Sequence, residues 1–230
     1  FSSCSDSTNI IRARAIRVGT HAVVWEDSAN TLVAANVPEL AAAYTRMGEV
    51  FDRDQYETVR TYFGDPIRRD LDDDGLLHMV FTQKLNGTGA AAYVTSCDMV
   101  VRQAATAGGN YGEYFYGTVP TTATPNVNST ASPDGWYAFM SRTVVHEVKH
   151  IASLSARFAN GSPTFESSWL EEGTARHAEE VWVRDSVHRV AWKANTGYAD
   201  VASNGLFCDF NLSNSACVSN DLFRRPTWGM

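Results

Sequence analysis

The pentapeptide His146-Glu147-Val148-Lys149-His150, followed by Trp169-Leu170-Glu171-Glu172-Gly173, constrains this chain more than any other feature. On a helix, two histidines four residues apart project from one face, one turn apart, close enough to share a tetrahedral zinc ion. Glu147 then lies beside the metal. Three protein ligands leave one position for water, and a carboxylate nearby can take that water's proton. The fold must therefore set a helix bearing the histidines against a second segment bearing a carboxylate. With six His among 230 residues, an accidental HExxH is expected roughly 0.01 times in such a chain, so the pattern is read as metal chemistry.

Periodicity around the motif agrees. Thr143 to Phe158 reads as a helix, with Val144, Val148, Ile151, Ser155 and Phe158 on one mostly apolar stripe and His146, Glu147, His150 and Arg157 off it. The continuation Ile151 to Ala156 has neither the glycine nor the histidine of HExxHxxGxxH, which excludes the metzincin pattern. Downstream, Glu171 to Arg184 reads as a second helix in which Glu172, Ala175, Arg176 and Glu179 share a face. Three carboxylates compete for the role of third ligand. Glu171 and Glu172 lie near the start of the helix, where Glu171 shares its face with Ala175, Ala178 and Trp182 and so reads as packing, and Glu166 precedes the helix.

These residues resemble the gluzincins, zinc peptidases whose third ligand is a glutamate on a second helix after HExxH. WLEEG is similar to the WLxEG form in which the Glu directly before Gly binds zinc, which implies Glu172. Within that group the chain resembles the hyicolysin-like neutral metalloproteases. HEVKH with WLEEG carries the likeness, and a looser order of segments supports it: Asp70 to Gly75 before a strand, the tyrosines between Asn110 and Pro120, and Thr143-Val144-Val145 before the motif. The resemblance implies zinc held by His146, His150 and Glu172, with Glu147 as general base. It also implies an oxyanion donor beyond the third ligand, where His188 and Tyr198 lie and Tyr198 is the choice. Peptide substrates would add as a strand beside an edge such as Gly89 to Val94. That segment lacks the carboxylate with which a related aminopeptidase class holds a free amine, so the expected activity is endopeptidase. Two departures stand out: a long interval between His150 and Glu172, and an end at Met230 that leaves little room for a helical C-terminal lobe. The latter suggests a trimmed or nicked fragment.

The expected fold class is α+β and zincin-like: a twisted, mainly antiparallel sheet packed on the HEVKH helix, then a second helix carrying the glutamate ligand. A single catalytic domain over 1–230 is expected, sheet-rich over 1–135 and helical around the zinc site over 136–230. Strands are expected at Ile16 to Glu26, His78 to Leu85, Ala90 to Val101 and Tyr111 to Val119. Helices are expected at Pro38 to Phe51 and Asp54 to Phe63, and a long loop at Pro120 to Gly135. A hydrophobic content of 44% in 230 residues suffices for one sizeable core.

Cys4, Cys97, Cys208 and Cys217 are an even set with no CxxC, which favours disulfides and secretion. Three pairings are open, of which Cys4 with Cys97 and Cys208 with Cys217 is preferred. The chain begins with Phe and has neither a signal-like apolar segment nor a stretch long enough to span a membrane, so a mature soluble product is expected. A net charge of -7 argues against nucleic acid. Asp70, Asp72 and Asp74 before Gly75 match the first half of a calcium loop, but the twelfth position is Phe81 rather than the glutamate an EF-hand needs. Structural calcium and a solvated acidic turn both stand. His177 is expected to be exposed or behind the ligands, and Glu179 either to orient a histidine or to face solvent. A reading of another class is a noncatalytic secreted binding or adhesion module stabilised by zinc, with calcium at the acidic loop.

Overall fold

The computed structural model describes residues 4–5, 8, 10–101, 107–121, 131–162 and 164–183. Nine elements follow in chain order: β1 (Ala13–Val18), β2 (Ala22–Asp27), α1 (Pro38–Val50), α2 (Tyr56–Tyr62), β3 (Leu77–Phe81), β4 (Ala92–Tyr93), β5 (Tyr114–Gly117), α3 (Pro133–Ala159) and α4 (Ser168–Trp182). The class is α+β, and the five strands form one sheet in the order β1-β2-β3-β5-β4.

The sheet is mixed rather than mainly antiparallel. β1 and β4 run antiparallel to their neighbours, but β3 is parallel to both β2 and β5. The cause is the connections. Residues 28–76 between β2 and β3 include both α1 and α2, a crossover that returns the chain to the same end of the sheet. All five residues of β3 are buried, as expected for a strand flanked by parallel partners.

Alternation divides the sheet's side chains. Ala22, Val24, Leu77, Met79, Phe81 and Phe115 enter a core shared with Leu40, Tyr44 and Met47 of α1 and with Trp136, Met140 and Val144 of α3. On the other face Trp25, His78, Tyr114, Tyr116 and Tyr93 form an aromatic row, with His78 stacked on Tyr114 at 4.6 Å and Tyr93 on Tyr116 at 4.9 Å between ring centroids. Trp136 anchors α3: its indole Nε1 donates to Thr118 O at 2.8 Å, and its ring meets Tyr44 and Phe81 edge-on.

Several boundaries differ from expectation. Ile16 to Glu26 is not one strand but parts of two, separated by a turn whose Thr20 and His21 amides donate to Asp52 at 3.1 and 2.8 Å. Asp54 to Phe63 begins inside a π-helical turn, Phe51–Gln55, that joins α1 to α2. His78 to Leu85 is a strand only to Phe81, and Gln83–Leu85 is a 3₁₀ turn. Of Ala90 to Val101 only Ala92–Tyr93 pairs. The HEVKH helix starts ten residues before Thr143, at Pro133, with Ser132 Oγ accepting from Gly135 N.

Candidate metal centre

Three elements build the centre: α3, α4 and the sheet edge β4. In α3, Val144, Val148 and Ile151 sink into the core, which leaves His146, Glu147 and His150 on the flank facing α4. α4 approaches with Ala175 and Ala178, both fully buried and small enough to let the helices come close. Its C-terminal end is tied down by Trp182, whose Nε1 donates to Asp54 Oδ1 at 2.7 Å.

The two imidazoles and one carboxylate converge. His146 Nε2 lies 3.1 Å from Glu172 Oε2, and His150 Nε2 lies 3.7 Å from Glu172 Oε1. One ligating atom from each of His146, His150 and Glu172 falls within 4.8 Å of the others, a spacing compatible with a shared ion. Both Nδ1 atoms face away from this point onto buried carboxylates: His146 onto Glu179 Oε1 and His150 onto Glu171 Oε1, each at 2.8 Å. An ionised carboxylate can only accept, so each Nδ1 carries a proton; His146 donates from Nε2 to Glu172 as well, and loss of that second proton would leave its Nε2 lone pair for a metal. Two neutral imidazole nitrogens and a carboxylate are a donor set that suits zinc.

The neighbouring carboxylates thus have separate tasks. Glu171 is 4% exposed, accepts from Lys149 Nζ at 2.9 Å and orients His150, whereas Glu172 is partly exposed and faces both Nε2 atoms. Sequence reading took Glu171 as packing and did not see the buried Lys149 at all. Glu179 orients His146 and is itself held by Arg176 at 2.7 Å. Glu166 is paired with Arg157, whose guanidinium also bonds Thr164 O and Ser162 Oγ. Those contacts fasten the connection that makes the interval between His150 and Glu172 long: α3 continues to Ala159 before the chain turns.

Electrostatics follow from this packing. Burial alone would depress the His146 imidazolium, but hydrogen bonds to Glu172 and Glu179 outweigh it and push the group up to about 9. Glu172 is held below the ordinary carboxylate range, first by its hydrogen bond with His146. Burial pushes Glu171 up, yet His150 and Lys149 together hold it low. Glu147 is raised by burial, which makes its carboxylate a stronger base than one in water.

A cleft of about 440 Å³ opens above these groups, lined by His146, Glu147, His150, Glu171 and Glu172, by Phe165, Glu166 and Ser168, and by Ala92, Tyr93 and Val94. Among the described residues β4 is the last strand of the sheet, and Ala92, Tyr93 and Val94 border the cleft. His177 is exposed, 6.1 Å edge-on from the Phe63 ring, and is not grouped with the ligand atoms. His188 and Tyr198 lie outside the described residues, as do Cys208 and Cys217. Among the described residues no helix is long and apolar enough to cross a membrane.

No known family model matches this chain, and no curated protein is significantly similar to it.

Proposed function

We propose that this chain is a secreted zinc-dependent endopeptidase of the gluzincin kind, similar to the hyicolysin-like neutral metalloproteases. One observation carries the reading: two imidazole Nε2 atoms and the Glu172 carboxylate meet at one point, with Glu147 beside them in an open cleft. His146, His150 and Glu172 would hold zinc there, and it would supply the Lewis acidity to lower a water's pKa and polarise a carbonyl. Glu147 then acts twice, first accepting the proton of the attacking water and afterwards delivering it to the leaving amine. Glu171 and Glu179 keep the two imidazoles in the tautomer and orientation the site requires. A peptide lying along the β4 side of the cleft would pass Ala92, Tyr93 and Val94 beside the ligand atoms, which suits extended protein substrates. Tyr198 is our choice for the donor that stabilises the oxyanion.

Secretion rests on the Cys4–Cys97 disulfide, a bond favoured by an oxidising compartment. The intact Glu147 favours an enzyme over a zinc-stabilised binding module, because a purely structural site has no use for a base beside an open position.

The test is Glu147→Gln. The variant is expected to retain one zinc per chain by elemental analysis while its kcat/KM on unfolded casein falls about 10²–10⁴-fold or more. Unchanged turnover would remove Glu147 from the mechanism, and an absence of zinc in the wild-type protein would remove the reading altogether.

A further inference from the structure

We infer that Asp70, Asp72 and Glu113 form a second cation site, built from oxygen ligands for calcium, at the N-terminal ends of the paired strands β3 and β5. One carboxylate oxygen from each of the three lies within 4.8 Å of the others. Glu113 directly precedes β5, and its carbonyl accepts from His78 N at 2.8 Å, so strand pairing holds it under the acidic loop that leads into β3. Its side chain is completely buried. Among the described residues Oε1 accepts from Asp70 N, at 3.1 Å, and Oε2 has no hydrogen-bond partner. A buried carboxylate oxygen without a donor is costly, and folds retain one where something else satisfies it.

The loop is shaped toward the same point. Asp70 Oδ1 accepts from the amides of Asp74 and Gly75 at 3.1 and 3.0 Å, which closes the turn around one of its oxygens. Asp72 lies against Gly112, where a Cβ would stand 2.5 Å from Asp72 Oδ2 and push that carboxylate aside.

His78 is excluded as a ligand. Its Nδ1 accepts from Trp25 Nε1 at 3.0 Å, so in the neutral ring Nε2 bears the hydrogen and has no lone pair for a metal, although it lies 3.1 and 3.4 Å from Asp74 and Asp72. What remains is an all-carboxylate set, which selects a hard cation over zinc. The site also explains why the acidic loop fails as an EF-hand. The carboxylate missing from the twelfth position comes from Glu113, 43 residues after Asp70 and brought back by the sheet.

The experiment is a calcium titration of the full chain, stripped of divalent cations by chelating resin and reloaded with one equivalent of zinc, read by calorimetry and by Tm. Expected is one calcium per chain, a Kd on the order of 10⁻⁴ M and a Tm raised by several degrees. Glu113→Gln and, separately, Asp72→Asn should each weaken binding about tenfold or more, with far-UV circular dichroism unchanged. His146→Ala should leave the isotherm intact, which separates this site from the zinc centre. No heat and no Tm shift up to about 10 mM calcium, well above affinities for extracellular sites, would overturn the proposal. So would wild-type affinity in folded Glu113→Gln.

Discussion

At the residue scale, Glu171 and Glu172 are chain neighbours with opposite duties. Glu172 offers its oxygens to both Nε2 atoms, while Glu171 turns inward to Lys149 and His150 Nδ1. On the proposed function Glu172→Gln would remove a metal ligand, whereas Glu171→Gln would loosen an imidazole and should cost zinc affinity only about 10–100-fold. Zinc competition titrations on both variants check the ranking, and a greater loss in Glu171→Gln would reverse the assignment. Glu171→Gln should also destabilise the fold by about 3–5 kcal/mol, because Lys149 is left buried without its counter-charge. Adding Lys149→Met should restore most of that stability without restoring zinc affinity. That His146 and His150 share one flank was legible because helical periodicity converts spacing into direction, whereas Glu172 was singled out by the likeness of WLEEG to the WLxEG form. The pairing of Lys149 with Glu171 was not, since it depends on how two helices pack, and no single period records that.

At the element scale, the π-helical turn Phe51–Gln55 does what a regular helix could not. Successive residues reach different neighbours: Asp52 caps the β1–β2 turn and pairs with Arg17 at 2.7 Å, Asp54 accepts from Trp182 of α4, and Gln55 Nε2 donates to Ser141 O of α3 at 2.7 Å. Such turns widen the helix locally and redirect its side chains. The β1–β2 turn is closed by Gly19 N donating to Ala22 O at 2.8 Å and is held further by Asp52, a residue far along the chain whose part no local pattern records. α1, by contrast, was legible from Pro38 and its apolar spacing. Trp182→Phe keeps the buried ring but removes the indole donor. Global stability should fall by about 1–2 kcal/mol in urea, and zinc should dissociate faster as the end of α4 loosens. A variant with wild-type stability and wild-type zinc release would show that Asp54 does not anchor α4.

At the scale of the whole molecule, the disulfide and a buried acid act on the same corner. Cys4–Cys97 closes a loop with a sequence separation of 93, and Gly108 N donates to Cys4 O at 2.8 Å, so the N-terminal segment is stitched to the approach to β5. Loss of a link of this span relaxes the unfolded chain. Cys4→Ser with Cys97→Ser should lower unfolding free energy by up to about 4–5 kcal/mol, seen as an earlier urea midpoint; an unchanged midpoint would mean that the link does not constrain the unfolded state. Next to Cys97, Asp98 is 2% exposed and accepts from Asn110 N at 2.6 Å and from Tyr116 Oη at 2.8 Å. Burial nevertheless dominates those hydrogen bonds and pushes its carboxyl from an ordinary 3.8 up to about 6. The sign follows from linkage. Between about pH 4 and pH 6 the folded chain holds this proton and the unfolded chain does not, so the contribution is fully present below about pH 4 and is lost as pH rises through about 6. A shift of this size corresponds to on the order of 3 kcal/mol. Urea unfolding of wild type and Asp98→Asn at intervals across that window isolates it, because other groups titrate in both. The wild type should gain stability relative to the variant as pH falls from 7 to 4, whatever the offset at pH 7. Parallel pH profiles for the two proteins would show that Asp98 ionises in the fold as it does in water, and that the hydrogen bonds from Asn110 and Tyr116 fully offset its burial.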